Sequence, residues 1–240
     1  MSVCQWGTYI GCQNSSESVF GINLGAAGLN GTIPSELMVL TGLESLYINR
    51  NYDLHGTLPP EFGNTLSNLR SVEVSSNSLS GSMPESWDNM RNMEFLSFDT
   101  NYFTGTLSPN FFKARPELYL VTGSRNALSG TIPEFGDNDS NNKMQWLHLA
   151  LNQMTGTIPT SILSTAGDDS RLEHLLLYDN HFNGTLPTLI GSLSNLMGFD
   201  VEGNQLTGQI PSEIGDLHGL TSLFVNRNLF TGTFSQVELS

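Results

Sequence analysis

The apolar positions of this chain repeat in a fixed skeleton. In residues 172–187, LEHLLLYDNHFNGTLP, leucines at the first, fourth and sixth positions are followed by an asparagine at the ninth. The same skeleton returns in residues 144–159 and 196–211. A repeat of this length indicates a solenoid, in which each unit completes its core by stacking on its neighbours.

Alignment on the internal asparagine divides the chain into nine coils, with successive positions 24–28 residues apart. The first coil has alanine at this position, as expected for an atypical terminal repeat. The aligned residues are Ala27, Asn51, Asn77, Asn101, Asn126, Asn152, Asn180, Asn204 and Asn228.

Each part of the skeleton predicts a local structure. The alternating L-x-L piece predicts a short strand, and strands of successive coils are expected to stack in parallel. The asparagine is expected to be buried and to bond the backbone of the turn that follows, because its amide carries both donors and an acceptor. The L-x-G-x-I-P piece predicts a second short strand that ends at proline. The ridge in residues 212–220, with apolar residues at near-helical spacing, predicts one helical turn per coil.

The skeleton resembles the plant-type leucine-rich repeat, whose hallmark is L-x-x-L-x-L-x-x-N-x-L-[ST]-G-x-[IL]-P. The hallmark is found in the coils that end at Pro34, Pro59, Pro84, Pro133, Pro159, Pro187 and Pro211. The resemblance implies an α/β solenoid, a right-handed leucine-rich-repeat superhelix of about nine coils. Its parallel β-sheet would be concave, with second short β-strands and with short helical turns on the convex side.

The N-terminal residues resemble the second half of the C-x-W-x-G-V-x-C cap that precedes such arrays. The matching residues are Cys4, Trp6, Gly7 and Cys12. We therefore expect a partial N-terminal cap over residues 1–18, with a Cys4–Cys12 disulfide. A single repeat array without a C-terminal cap is expected over residues 19–240.

For function, the resemblance implies extracellular recognition on the concave face. Proteins with this repeat include ectodomains of receptor-like kinases and receptor-like proteins, secreted inhibitors of polygalacturonase, and a few ice-binding relatives. The chain contains no kinase domain, and fold alone does not determine function. The expected partner is a protein or peptide ligand, or a glycan.

Composition narrows the partners further. Nine Lys and Arg stand against 23 Asp and Glu, a formal charge of −14, which argues against nucleic acid and against an anionic membrane surface. The sequence contains no run of about 18 apolar residues, so it predicts no transmembrane segment. The cysteine pair and four glycosylation sequons favour the secretory pathway, hence an extracellular or cell-surface location. The sequon asparagines are Asn14, Asn30, Asn138 and Asn183.

The outward positions of the predicted concave strands carry the candidate binding residues. In the middle coils these positions are large and mostly apolar, whereas solvated sheet faces are usually polar, and exposed apolar patches tend to mark partners. We name this set the concave patch: Phe95, Leu120, Trp146, His148, His174, Leu176 and Tyr178. Asp200 and Glu202 lie beside it and are candidates for selecting a cationic group. The alternatives are aromatic stacking that only stabilises the sheet, or a strand register assigned wrongly.

A second candidate surface lies on the L-x-G-x-I-P strands. The residues after glycine are Thr32, Thr57, Ser82, Thr106, Thr131, Thr157, Thr185, Gln209 and Thr233, which we name the threonine ladder. Threonine or serine often precedes the glycine too, as at Thr104, Thr155 and Thr231. Such two-row Thr-x-Thr arrays resemble the surfaces of ice-binding solenoids, so ice or crystal binding is the alternative function. Threonine also suits any exposed strand, and a glycan at Asn30 or Asn183 would obstruct this surface.

Neither an enzyme nor a cofactor is expected. The sequence has no nucleophile elbow, phosphate loop or metal-ligand spacing, and two histidines without a third ligand do not predict a metal site. Adjacent carboxylates are common in so acidic a chain. Two polar insertions, at residues 135–142 and 164–170, are expected to be exposed loops, with binding loops as the alternative.

Overall fold

The computed structural model describes residues 10–12, 18–136, 143–163 and 171–232, with side chains from residue 18 onward. Two long sheets run along the solenoid. The concave sheet contains, in order, Ile10–Cys12, Val19–Asn23, Ser45–Tyr47, Ser71–Glu73, Phe95–Ser97, Leu120–Thr122, Trp146–His148, His174–Leu176, Gly198–Asp200 and Ser222–Phe224. We number coils 1 to 9 by these strands, starting at Val19–Asn23.

The concave strands follow from the L-x-L alternation. The central residue of each strand points into the core, and Leu46, Leu96, Leu147 and Leu175 are 0% exposed. The residues on either side point outward, because side chains alternate between the two faces of a strand. The sheet is parallel throughout coils 1 to 9 and in register, with one residue of each strand opposite its counterpart in the next. The predicted fold class is therefore confirmed.

The internal asparagines form a continuous hydrogen-bonded ladder through the core. The Oδ1 atom of Asn152 accepts a bond from the backbone N–H of Leu128 in the preceding coil (3.0 Å). Its Nδ2 donates to the carbonyls of Gly123 (3.0 Å) in the preceding coil and Leu149 (3.1 Å) in its own. The same pattern recurs at Asn101, Asn126, Asn180, Asn204 and Asn228. These amides satisfy buried backbone groups that would otherwise lack partners.

The second sheet is also parallel. Its strands are Asn30–Gly31, Asp53–Thr57, Ser78–Ser82, Tyr102–Gly105, Ala127–Gly130, Gln153–Gly156, His181–Thr185, Gln205–Gly208 and Leu229–Phe230. The ridges that follow carry short helices in several coils. They are the 3-10 helices Ser35–Val39, Glu85–Asn89, Thr188–Ser192 and Ser212–Asp216 and the α-helical turns Phe62–Thr65 and Thr160–Leu163.

The N-terminal strand Ile10–Cys12 extends the concave sheet but pairs antiparallel with Val19–Asn23. Several predictions concern residues outside the described part of the chain: Cys4, the sequons at Asn14 and Asn138, and most of the insertions at 135–142 and 164–170. Only the backbone of Cys12 is described. The Cys4–Cys12 disulfide and the division of the chain at residue 18 therefore stay predictions.

Candidate ligand-binding face on the concave sheet

The strand register brings the concave patch together. Leu120 is opposite Phe95 on one side and Trp146 on the other, and Trp146 is opposite His174. One step along the strands, His148 is opposite Leu176. These residues therefore form the neighbouring rows that the sequence predicted. Their role in binding stays a prediction.

Three rings form the centre of the patch. The ring of Trp146 stacks on that of His148, with centroids 5.7 Å apart and planes 21° apart. His174 meets Trp146 nearly edge-on, at 5.0 Å and 65°. Trp146 is 38% exposed, which makes it the large side chain that this cluster offers to solvent. The other members of the patch, Phe95, Leu120, Leu176 and Tyr178, are half-buried.

Two residues that the sequence did not single out hold these rings. The Nε1–H of Trp146 donates to Oε2 of Glu173 at 3.0 Å. Gly198 lies opposite His174, and a Cβ placed on it would lie 2.5 Å from Nδ1 of that ring. Gly198 is buried although its position faces outward. The signal available in the sequence was its place in the row after His174, where a small residue leaves room for a large neighbour.

His148 is electrically neutral in this environment. Burial, with a smaller electrostatic effect of the neighbouring His174, lowers the pKa of His148 to about 4. Its Nε2 atom is buried and has no hydrogen-bond partner in the described structure. The ring therefore contributes aromatic surface, not charge, at neutral pH.

Carboxylates line one side of the patch. Asp200 is two residues from Glu202, whose backbone N–H donates to Oδ1 of Asp200 at 3.0 Å. Burial raises the pKa of Asp200, and the charges of Glu202 and Asp179 add to this effect. Arg227 lies 3.4 Å from Asp179 and 3.6 Å from Glu202, but no ion pair joins it to Asp200 in the described residues. The cluster keeps more negative than positive charge.

The other side of the patch is polar and internally bonded. Asp99 accepts a bond from the backbone N–H of Ser124 at 2.6 Å, and Thr122 donates to Ser97 at 3.0 Å. Burial raises the pKa of Asp99. Hydrogen bonding by the Thr122 and Ser97 side chains and by the backbone of Ser124 opposes this effect. The concave face thus changes from hydroxyl-rich at coils 4 and 5 to aromatic at coils 6 and 7 and acidic at coil 8.

The threonine ladder is also present, on the second sheet, where its described members from Thr32 to Gln209 are exposed. Glycines of each coil have positive φ, and a Cβ on Gly156 would lie 2.7 Å from Cγ2 of Thr131 in the preceding coil. The same close approach joins Thr106 to Gly130 and Thr157 to Gly184. The methyl groups therefore pack over glycines, which fixes the side-chain rotamers.

Within the described residues, no group of three or more His, Cys, Asp or Glu side chains is arranged to hold a metal ion. The same residues contain no helix that is long and apolar enough to cross a membrane.

The family model described as Leucine Rich Repeat matches residues 68–90, 171–193 and 195–217. Together with the two parallel sheets and the asparagine ladder, these matches show what the chain is built of. It is a solenoid of leucine-rich repeats, similar to those of the plant type. No curated protein matches it.

Solved structures of plant receptor ectodomains are similar to this leucine-rich repeat protein. One is the ectodomain of the Arabidopsis thaliana membrane receptor kinase GASSHO1/SCHENGEN3 in complex with CASPARIAN STRIP INTEGRITY FACTOR 2. It is 28% identical with a TM-score of 0.83, and the match covers 97% of this chain and 30% of that one. Another is the Arabidopsis receptor kinase HAESA in complex with the peptide hormone IDA and the co-receptor SERK1. It is 30% identical with a TM-score of 0.74, and the match covers 85% of this chain and 32% of that one. The chain thus spans about a third of these receptor structures.

A plant ice-binding protein is also similar, at 25% identity with a TM-score of 0.68. That match covers 96% of this leucine-rich repeat chain and 79% of the ice-binding one.

Proposed function

We propose that this protein is a non-catalytic recognition module that binds an extended protein or peptide segment on its concave face. The observation that carries the proposal is the row of Phe95, Leu120, Trp146 and His174, aligned by the strand register on the outward side of the sheet. Exposed aromatic and apolar surface of this kind favours a macromolecular partner, and tryptophan dominates many interfaces. The peptide hormone bound by HAESA supports the choice of a peptide.

The acidic residues beside the patch favour a ligand with a cationic group. Asp200 is half-buried. Arg227 forms ion pairs with Asp179 and Glu202, but none with Asp200 in the described residues. A cationic side chain of the ligand would compensate this carboxylate, and the formal charge of −14 would speed its approach. Asp200 and Glu202 then select the ligand, whereas the rings of the patch supply most of the contact area.

The expected energy of the central contact follows from the exposure of Trp146. A tryptophan presents roughly 150–250 Å² of surface, so an exposed fraction of 38% leaves roughly 60–95 Å² for a ligand to cover. At about 25 cal/mol per Å², covering it contributes about 2 kcal/mol, or about thirty-fold in Kd.

The test uses a random peptide library displayed on phage and selected on the natural chain. The most enriched peptide should bind about thirty-fold more weakly to a Trp146→Ala variant than to the natural chain. A separate Tyr178→Ala variant should also bind this peptide more weakly than the natural chain does. Tyr102→Ala is the matched control, because Tyr102 is 65% exposed on the second sheet. The proposal would be contradicted if Trp146→Ala and Tyr178→Ala bound the selected peptide as tightly as Tyr102→Ala does.

We also propose that the protein acts outside the cell. The similar receptor structures are ectodomains, and the sequon residues Asn30 and Asn183 are exposed on the second sheet. Protein secreted by a eukaryotic host should lose mass on treatment with a peptide N-glycosidase. Protein carrying Asn30→Gln and Asn183→Gln should lose less, and an unchanged loss would exclude both sites.

Ice or crystal-surface binding through the threonine ladder is the second candidate function. It is favoured by the fixed rotamers over Gly130, Gly156 and Gly184, since hydroxyls held at regular spacing suit a lattice. In the described structure the hydroxyls of Thr106, Thr131 and Thr157 make no hydrogen bond to the protein. Hydroxyls of the row before glycine instead donate to carbonyls, as Thr155 does to Gly130. The similar ice-binding structure supports it.

An ice-recrystallisation assay tests this second function. Replacing Thr106, Thr131 and Thr157 with valine keeps the methyl groups over the glycines and removes only the hydroxyls. Loss of activity in this variant, with Thr122→Val on the concave sheet unaffected, would support the ladder. Absence of activity in the natural chain would exclude it.

A further inference from the structure

We infer that Glu173 and Gly198 are positioning residues, which fix the rings of Trp146 and His174 in the orientation that receives the ligand. The inference rests on the proposed function of the concave face. Neither residue is needed to touch the ligand, and each acts on a different ring.

Glu173 orients the indole. Its Oε2 accepts the Nε1–H of Trp146 across the boundary between coils 6 and 7. Trp146 is exposed enough to adopt several staggered rotamers on an open sheet, and this bond favours the one that stacks on His148. Because an exposed indole can otherwise bond to water, we expect Glu173 to determine orientation more than stability.

Gly198 creates the space for the imidazole. The outward position of coil 8 is buried because the ring of His174 lies over it, with Nδ1 2.5 Å from where a Cβ would be. A methyl group there cannot fit beneath the ring, so His174 would have to move. A Cβ there would also lie 3.5 Å from Oγ of Ser222, an ordinary contact distance, so His174 is the neighbour that has to give way and that transmits the effect to binding.

The two residues thus hold one cluster from two sides. The indole nitrogen of Trp146 is held by Glu173, and the ring of His174 is held by the space above Gly198. The two ring centroids lie 5.0 Å apart, with an angle of 65° between the ring planes. Side chains that are already ordered lose less conformational freedom on binding. Releasing either ring should weaken binding by about three- to ten-fold, less than removing the indole itself.

The first measurement needs no ligand. The fluorescence of Trp146 is obtained by subtracting the spectrum of Trp146→Phe, because Trp6 and Trp87 also emit. Glu173→Ala should shift this emission and speed the local rotation of the indole, measured by time-resolved anisotropy. Glu173→Gln retains an acceptor oxygen and should behave like the natural chain.

Matched controls separate positioning from general damage. Gly21→Ala makes the same change in the same outward row of coil 1, where the Cβ would lie 2.8 Å from Oγ of Ser45, a hydroxyl instead of a ring. Glu44→Ala removes the carboxylate from the position of coil 2 that corresponds to Glu173. Neither control should change the emission of Trp146.

The second measurement uses the phage-selected peptide. Glu173→Ala and Gly198→Ala should each raise its Kd three- to ten-fold, while Glu173→Gln, Gly21→Ala and Glu44→Ala leave it unchanged. The inference is overturned if the emission and rotation of Trp146 are natural in Glu173→Ala, or if Glu173→Gln loses as much affinity as Glu173→Ala, which would mean direct contact with the ligand. It is equally overturned for Gly198 if Gly198→Ala binds like Gly21→Ala. If Trp146→Ala itself binds normally, the proposed function fails, and the ligand-free fluorescence still decides whether Glu173 orients the indole.

Discussion

His148 should make the folded state lose stability as the pH falls from 6.5 to 4. Burial lowers the pKa of this ring from 6.5 to about 4, with His174 adding a smaller effect. Between these values the unfolded chain binds a proton at this position and the folded chain does not. The free energy of unfolding therefore rises with pH across this window, and the contribution of His148 is complete above pH 6.5 and lost as the pH falls through 4.

The magnitude follows from the same two values. A pKa lowered from 6.5 to about 4 corresponds to about 3 kcal/mol if the ring were fully shielded. The ring is only half-buried, so screening by solvent reduces the expected effect to about 1–2 kcal/mol.

Urea denaturation followed by circular dichroism at pH 7 and pH 4.5 measures this effect. The natural chain is compared with His148→Gln, which cannot titrate, and the difference between the two should change by about 1–2 kcal/mol with pH. Carboxylates that titrate in the same range affect both proteins and largely cancel. His55→Gln is the matched control, because His55 is exposed on the second sheet. A difference between natural chain and His148→Gln that stays constant with pH would refute the reasoning.

Three further substitutions test the scaffold, each by the free energy of unfolding in urea. Asn152→Ala removes bonds to buried backbone groups of two coils and should cost about 2–4 kcal/mol; a cost below about 1 kcal/mol would show that water replaces the amide. Gly156→Ala introduces a methyl at φ 83° against the threonine of the preceding coil and should cost about 1–3 kcal/mol, whereas Gly136→Ala, with open space around it, should cost little. Asp88→Ala leaves the fully buried guanidinium of Arg115 without its carboxylate and should cost about 3–5 kcal/mol. Burial lowers the pKa of Arg115 to about 10, which shows that its charge is unfavourable in this environment. An unchanged free energy of unfolding in Asp88→Ala would mean that the Arg115–Asp88 pair does not stabilise the fold.

The repeat itself was predictable because its physics is local and periodic. Alternation of apolar and polar residues assigns each concave residue to the core or to solvent, and the asparagine position fixes the register of every coil. For these reasons the sequence alone predicts the neighbours of Trp146, and Leu120 and His174 do lie opposite it.

Contacts that join different rows could not be read from this alternation. Glu173 stands one residue before the outward row, where no rule of strand periodicity predicts that it bonds to the Trp146 indole. Arginine side chains are mostly exposed in folded proteins, and nothing in the repeat pattern marks Arg115 as an exception. It is instead fully buried, with its guanidinium 4.7 Å from the ring centroid of Phe111 and near Asp88. Both cases depend on side-chain directions between coils, which a repeat pattern does not encode.

The separation of scaffold from surface has a consequence for the two candidate functions. The concave patch and the threonine ladder belong to different sheets, and inward residues such as Leu147 and Met154, both 0% exposed, lie between them in coil 6. Substitutions distant from each other with no shared partners act independently. Trp146→Ala should therefore leave any effect on ice unchanged, and valine at Thr157 should leave peptide binding unchanged. If either variant alters the other activity, the two surfaces are coupled through the coil, and the outward residues could not vary independently of the scaffold that carries them.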